Sequence, residues 1–288
     1  MNDLEIMKLK PVIKWAGGKR QILPELLKHF PRDFNNYHEP FLGGASVVLH
    51  LWNCGLLTNK HIYISDIMHP LVNLYNTIKQ NPQRLILELS DSKYSNTAEA
   101  YNRHRIEFNK IKRETCWEQS NIPEAALFLY LNRICFNGMY RENSRGEFNV
   151  PFGKQKNPQI CNRDSILDLH NFLVNNHVHL TCSSFLNAEN NMKRDDFVYL
   201  DPPYYNTFTS YNRESFGKVE QIQLRDFFVR LTDTGCRVAL SNSNDPFILE
   251  LYQNIPNVKI IEIDSKRIIN CKVDARGDIV KEILVCNY

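Results

Sequence analysis

The stretch Val198-Tyr199-Leu200-Asp201-Pro202-Pro203-Tyr204 constrains the fold of this chain more than any other. Its apolar half suits a strand buried in a core, and two consecutive prolines cannot continue a strand's hydrogen-bond ladder. The strand must stop there, leaving an acid and an aromatic ring held stiffly at its mouth. Its neighbours set the kind of sheet. HVHLTCSSF before it, and CRVALSNS, VKIIEID and VKEILVCNY after it, read as further strands, while FGKVEQIQLRDFFVRLTDTG reads as a helix with a glycine stop. Nearer the start, PVIKWAGGKRQILPELLKHF is a loop feeding a helix, and NNYHEPFLGGASVVLHLW is strand, glycine turn and helix. Residues 61–67, HIYISDI, form a second strand with Asp66 at its end, and a helix from about Leu71 to Leu89 follows, broken at Pro82. Strands alternating with helices predict an α/β layer with a mostly parallel sheet.

The texture changes between about residues 90 and 175. Residues 98 to 119 are polar and charge-rich, PEAALFLYLNRICFN is an apolar helix of the core, and NGMYRENSRGEFNVPFGKQKNP is rich in glycine and asparagine. Within the last, Ser144-Arg145-Gly146 marks a hairpin turn between short strands. From Arg133 to Lys156, the five basic residues Arg133, Arg141, Arg145, Lys154 and Lys156 stand against only Glu142 and Glu147. Such a hairpin, with little apolar content, suits an arm that reaches into something better than a piece of core. The predicted division is a sheet domain of residues 1–74 and 176–288 with an inserted helical and hairpin domain at 75–175.

Bulk composition excludes more than it identifies. With 288 residues, 43% of them hydrophobic, the chain can bury one large core or a core plus a smaller module. A net charge of +3 neither demands nor excludes nucleic acid, because local clustering sets the binding field. Eight cysteines without a CxxC pair read as thiols in a reducing compartment, not as a disulfide or zinc framework. No long apolar run appears, so a soluble, cytoplasmic protein without a membrane span is expected.

Parallel α/β sheets bind ligands outside the carboxyl ends of their strands. There, Gly43 and Gly44 allow the backbone to approach a ligand closely, and Asp66 can accept two ribose hydroxyls. A glycine turn followed by an acid about twenty residues on fits a nucleoside-bearing cofactor. The spacing is not GxGxxG, which disfavours NAD and FAD; an ordinary tight turn is the alternative for the glycines alone. GGKR at 17–20 lacks the spacing and hydroxyl of a triphosphate loop, although Lys19 can still neutralise a carboxylate or phosphate. At the strand's mouth, Asp201 and the Pro202 carbonyl can accept the two hydrogens of an amino group, and Tyr204 can stack on a flat ring. A base inside a duplex would have to be flipped out to reach them, at about a few kcal/mol.

These blocks resemble the alpha-ordered, Dam-type DNA adenine-N6 methyltransferases, the group with the GATC-specific enzymes. The likeness runs nearly end to end: KWAGGKRQILP at 14–24, EPFLGGAS at 39–46, SDI at 65–67, NRICFNGMYRENSRGEFNVPFG at 132–153, VYLDPPY at 198–204 and SNS at 241–243. The resemblance implies a Rossmann-like methyltransferase sheet with an inserted target-recognition domain, and S-adenosyl-L-methionine as cofactor. The cofactor positions it implies are Trp15, Lys19, Phe41, Gly43, Gly44, Asp66, Ser184, Phe185 and Asp201; Ser184 stands where the family usually has an aspartate. The catalytic positions it implies are Asp201, Pro202 and Tyr204.

For DNA, the resemblance implies that Arg141 contacts guanine, that Met139 takes the thymine-facing place usually held by leucine, and that Lys14 lies near the first guanine. Asn137, Asn143, Pro151 and Lys154 complete the DNA-facing set. Arginine can meet guanine O6 and N7 bidentately, which discriminates by about 1–3 kcal/mol. Lys154-Gln155 replaces a basic residue and tyrosine found in some relatives, and Arg267, Arg276 and Gly277 lie in a loop expected near DNA phosphate or simply in solvent. The resulting expectation is base flipping and methylation of adenine N6 in double-stranded GATC, without a metal, by a monomer or weak dimer that can belong to a restriction pair. The rivals are another DNA site, an RNA substrate, or a non-catalytic DNA-binding relative.

Overall fold

The computed structural model describes residues 8–112, 120–206, 216–266 and 279–288. Cys116, Cys271, Arg267, Arg276 and Gly277 fall outside the described residues. In chain order the elements are α1 (Leu23–His29), β1 (Tyr37–Glu39), α2 (Ser46–Asn53), β2 (Ile62–Asp66), α3 (His69–Gln80), α4 (Pro82–Leu89), α5 (Ala98–Ile111), α6 (Ile122–Ile134), α7 (Arg163–Asn175), β3 (Val178–Cys182), β4 (Phe197–Leu200), α8 (Lys218–Thr234), β5 (Arg237–Ser243), α9 (Pro246–Tyr252), β6 (Lys259–Lys266) and β7 (Ile279–Cys286). The strands form one seven-stranded sheet in the order β3-β2-β1-β4-β5-β7-β6. Its first five members are parallel, and β7 runs antiparallel to both β5 and β6.

This is the mostly parallel α/β sheet anticipated from sequence, and its reason is visible in β4. All four of its residues are buried, with Phe197 and Tyr199 joining one apolar cluster and Val198 and Leu200 the other. A central strand covered on both faces needs this unbroken apolar run. Pro82 acts where expected: α3 ends, and Pro82 starts α4, where its missing N–H costs nothing. Gly235 closes α8 in the left-handed conformation, with φ of 89°.

The middle of the chain adds findings that composition hid. The polar segment from residue 98 forms α5, whose buried stripe is Ala100, Tyr101, His104 and Phe108. The hairpin differs from expectation in two ways. Its strands shrink to single bridges, Cys135 with Phe152 and Glu142 with Phe148. It also has an apolar underside, because Tyr140, Phe148 and Val150 are buried. The Tyr140 ring meets Phe128 of α6 and the Phe148 ring meets Phe108 of α5, so the arm is packed down on one side. The helix α3 is continuous through residue 75, where the division into two domains was expected, and α3, α6 and both flanks contribute to one apolar cluster. Among the described residues no cysteine forms a disulfide, and no helix is long and apolar enough to cross a membrane.

Candidate active site and nucleic-acid interface

The ends of β1, β2, β3 and β4 carry the expected cofactor and clamp residues to one edge of the sheet. After β1 the chain turns through Phe41–Gly44 into α2. Asp66, at the end of β2, accepts hydrogen bonds from the Gly43 N–H and the Met68 N–H, at 2.9 Å each. These bonds fix the glycine turn and the entry to α3 from one carboxylate. Burial raises the Asp66 pKa, and the backbone donors oppose that shift. Tyr75 of α3 donates to the Gly43 carbonyl at 3.0 Å and holds the turn from the other side.

The glycines are demanded by Trp15. A Cβ on Gly43 would lie 2.8 Å from Trp15 Nε1, and one on Gly44 would lie 2.8 Å from Trp15 Cβ. Gly43 also has φ of 49°, so the turn needs glycine there for conformation as well as space. Phe41 and Phe185 stack with ring centres 5.3 Å apart, and Phe216 meets Phe41 edge-on at 5.8 Å. The Ser184 hydroxyl accepts from the Leu186 N–H, capping the short turn that carries Phe185. A glycine cradle, a strand-end carboxylate and an aromatic pair fit a nucleoside with a charged tail, as S-adenosylmethionine requires.

Asp201 follows β4 directly. Lys19 lies 2.9 Å from it and 3.9 Å from Glu282 of β7. The same ammonium sits 4.4 Å from the centre of the Tyr204 ring, and the Tyr204 hydroxyl donates to Glu282 at 2.7 Å. Burial pushes the Asp201 carboxyl up to about 6; Lys19 pulls against that shift and Glu282 adds to it. Pro202 is buried, and the next carbonyl, that of Pro203, accepts from Gln221 at 3.1 Å. Gln221 is fully buried in α8 and accepts in turn from Asn242 of β5. The loop after β4 is thus braced from beneath by an amide pair.

The expected DNA-facing residues gather on the exposed side of the hairpin and on the chain before Trp15. Asn132 of α6 accepts from the Lys14 N–H and donates to the Lys14 and Gly138 carbonyls, tying the two segments together. Gly138, with φ of 63°, lies so close that a Cβ would come 2.5 Å from Lys14 Cβ. Asn137 and Pro151 are exposed and Met139 is half-buried. The Arg141 guanidinium is exposed and donates through Nε to Asn149 at 2.8 Å. Asn143 is spent on the turn itself: its carbonyl oxygen accepts from the Arg145 and Glu147 N–H groups, and its amide donates to Glu147. Lys154 is exposed, and Gln155 accepts from Lys14 Nζ at 3.0 Å while donating to the Cys135 carbonyl. Trp15 and Tyr140 stack at 6.3 Å, so the cofactor turn and the hairpin share a ring contact.

Several supporting residues escaped the sequence reading. Glu282, Gln221, Tyr75 and Phe216 reach the site from elements remote in sequence, and none sits in a pattern that marks it, whereas Asn132 and Asn149 lie within the block 132–153 but were given no role there. Phe136, beside Asn137, is a bulky ring left 41% exposed, which periodicity places in neither a strand nor a helix stripe.

Residues 15–269 match the family described as D12 class N6 adenine-specific DNA methyltransferase. The chain is 37% identical over 300 residues to the type II methyltransferase M.MjaIII of Methanocaldococcus jannaschii, covering 98% of this chain and all of that one. It is 36% identical over 296 residues to the type II methyltransferase M1.LlaDCHI of Lactococcus lactis subsp. cremoris, covering 100% and 99%. It is 34% identical over 257 residues to the DNA adenine methylase of Escherichia coli strain K12, covering 85% of each. The chain belongs to the family of D12 class N6 adenine-specific DNA methyltransferases, enzymes that take their methyl group from S-adenosyl-L-methionine.

Proposed function

We propose that this enzyme methylates adenine N6 within double-stranded GATC, and that it flips the target adenine out of the duplex to do so. The observation that carries the reading is the pairing of two features: a buried-side clamp at Asp201, and an exposed arginine on a hairpin that touches the cofactor turn through Trp15 and Tyr140. Asp201 and the Pro202 carbonyl take the two hydrogens of the amine, and Tyr204 stacks on the base. Lys19 gives up Asp201 when the amine arrives and turns toward Glu282. S-adenosyl-L-methionine supplies an electrophilic methyl group at this edge. Trp15, the turn at Phe41–Gly44, Asp66, Ser184 and Phe185 hold it; Ser184 offers the adenine edge a hydroxyl without charge. An acceptor set at the end of a sheet cannot reach a stacked base, which is the reason for flipping.

On the DNA side, Arg141 reads guanine, Met139 faces thymine, and Lys14, Asn137, Pro151 and Lys154 line the groove or its phosphates. Asn143 contributes by shaping the turn. Residues 75–175 act as the target-recognition domain, and residues 1–74 with 176–288 as the catalytic domain. The enzyme works in the cytoplasm as a monomer or weak dimer on DNA. The type II names of two relatives support a place beside a restriction endonuclease.

The test is methyl transfer from labelled cofactor to a GATC duplex, its single-base variants and the same sequence as RNA. Label confined to adenine in GATC is the expected result. Equal label in the variants would remove the GATC assignment, and label in RNA would replace the substrate; the narrow major groove of RNA is a poor fit for such a hairpin.

A further inference from the structure

The recognition hairpin has few bonds of its own. The Glu142–Phe148 bridge consists of Asn143 N–H to Glu147 O at 2.9 Å and Asn149 N–H to Arg141 O at 3.0 Å, the turn adds Gly146 N–H to Asn143 O at 2.9 Å, and the Cys135–Phe152 bridge closes the base. A two-stranded ribbon this short is marginal without outside support. The support comes from α5. Tyr101, Arg105 and Asn109 recur at four-residue spacing, with Phe108 and Lys112 beside them, so they share one side of the helix.

Each of these residues grips the hairpin. The Tyr101 hydroxyl donates to the Val150 carbonyl at 2.6 Å, and Arg105 donates to the same oxygen at 3.5 Å. Lys112 donates to the Gly146 carbonyl at 2.9 Å and pairs with Glu142. Asn109 does more: its Nδ2 donates to the Phe148 carbonyl at 3.1 Å, and its Oδ1 accepts from the Phe148 N–H at 2.8 Å. One side chain therefore gives residue 148 the donor and the acceptor that a neighbouring strand would give. The next residue, Asn149, holds the Arg141 guanidinium, and its own N–H holds the Arg141 carbonyl.

We infer that Asn109 is a positioning residue for base recognition: by locking residue 148 in register it sets where Asn149 holds Arg141. The inference rests on the reading of Arg141 as a guanine contact. Asn109 touches neither DNA nor cofactor in this role. Its loss leaves the Phe148 ring packed on Phe108 and Tyr140, so the hairpin stays in place while its register loosens.

The experiment compares wild type, Asn109→Ala, Asn109→Asp and Arg141→Ala in the full chain. For each, kcat/KM is measured on a GATC duplex and on duplexes with each guanine-bearing pair changed in turn, and cofactor affinity is measured on the same samples. Arg141→Ala identifies the pair whose discrimination depends on Arg141. Asn109→Ala should lower discrimination at that same pair by about tenfold, with cofactor affinity unchanged. Asn109→Asp keeps the acceptor and loses the donor, so it should fall between. A drop in kcat/KM by one common factor on every duplex would mean a merely structural role and overturn the inference. If Arg141→Ala changes discrimination at no pair, the reading of Arg141 fails, and the positioning role falls with it.

Discussion

The clamp and the hairpin are built on opposite plans. The clamp sits at the mouth of a strand buried on both faces, and its supports, Gln221 and Asn242, are themselves fully buried. The hairpin lies over α5 and α6, buried along one side and held by side-chain bonds from a helix. The difference teaches where each kind of demand is met. Transfer of a methyl group tolerates little displacement of its reactants, and an embedded loop supplies that rigidity. Site choice, in the function proposed for the hairpin, needs side chains projecting into a groove, and an arm fixed from behind leaves its other face free for them.

The comparison can be broken most sharply at Asp201. Asp201→Ala should cut single-turnover methyl transfer by about a thousandfold or more, since in the proposed mechanism it removes an acceptor that acts on the reacting amine. Gln221→Leu comes next. It unseats the Pro203 carbonyl without touching either reactant, and kcat should fall by about a hundredfold with the KM for DNA little changed. Arg141→Ala should spare kcat at saturating DNA and lower discrimination at one base pair by about tenfold. If Gln221→Leu instead lowered site discrimination, the clamp and hairpin would not be separate devices.

Two pH effects sharpen the same contrast from the clamp's side. Asp201 titrates near 6 and accepts best when ionised, so kcat/KM should fall as pH drops through that value and level off above it. Glu39, buried at the end of β1 with the Tyr37 hydroxyl donating to it, is raised from 4.5 to about 8, chiefly by burial. Between those values the folded chain holds a proton that the unfolded chain has released, so stability should decline as pH rises across the window. Denaturant midpoints of Glu39→Gln should show a flatter slope from pH 5 to pH 8.

Much of the clamp was legible because its signals are local. Two prolines end a strand, two glycines make a turn, and the acids Asp66 and Asp201 follow apolar runs directly. The hairpin turn was legible at Ser144–Gly146 for the same reason. Its buried underside was not, because Tyr140, Phe148 and Val150 do not alternate against a recognisable partner strand; their partners are on helices far away in sequence. Glu282, Gln221 and Asn109 were invisible for a further reason. A charged or amide side chain on a strand or helix has no periodic signature, and only the tertiary fold shows what it reaches.

The claim that chemistry and site choice reside in separate parts is tested most directly by equilibrium binding of Asp201→Ala to a GATC duplex and to its single-base variants, with cofactor present. The account predicts methyl transfer lowered by about a thousandfold or more and a preference among the duplexes equal to that of the wild type. Loss of that preference would contradict it, because the clamp would then be choosing the site as well as acting on it.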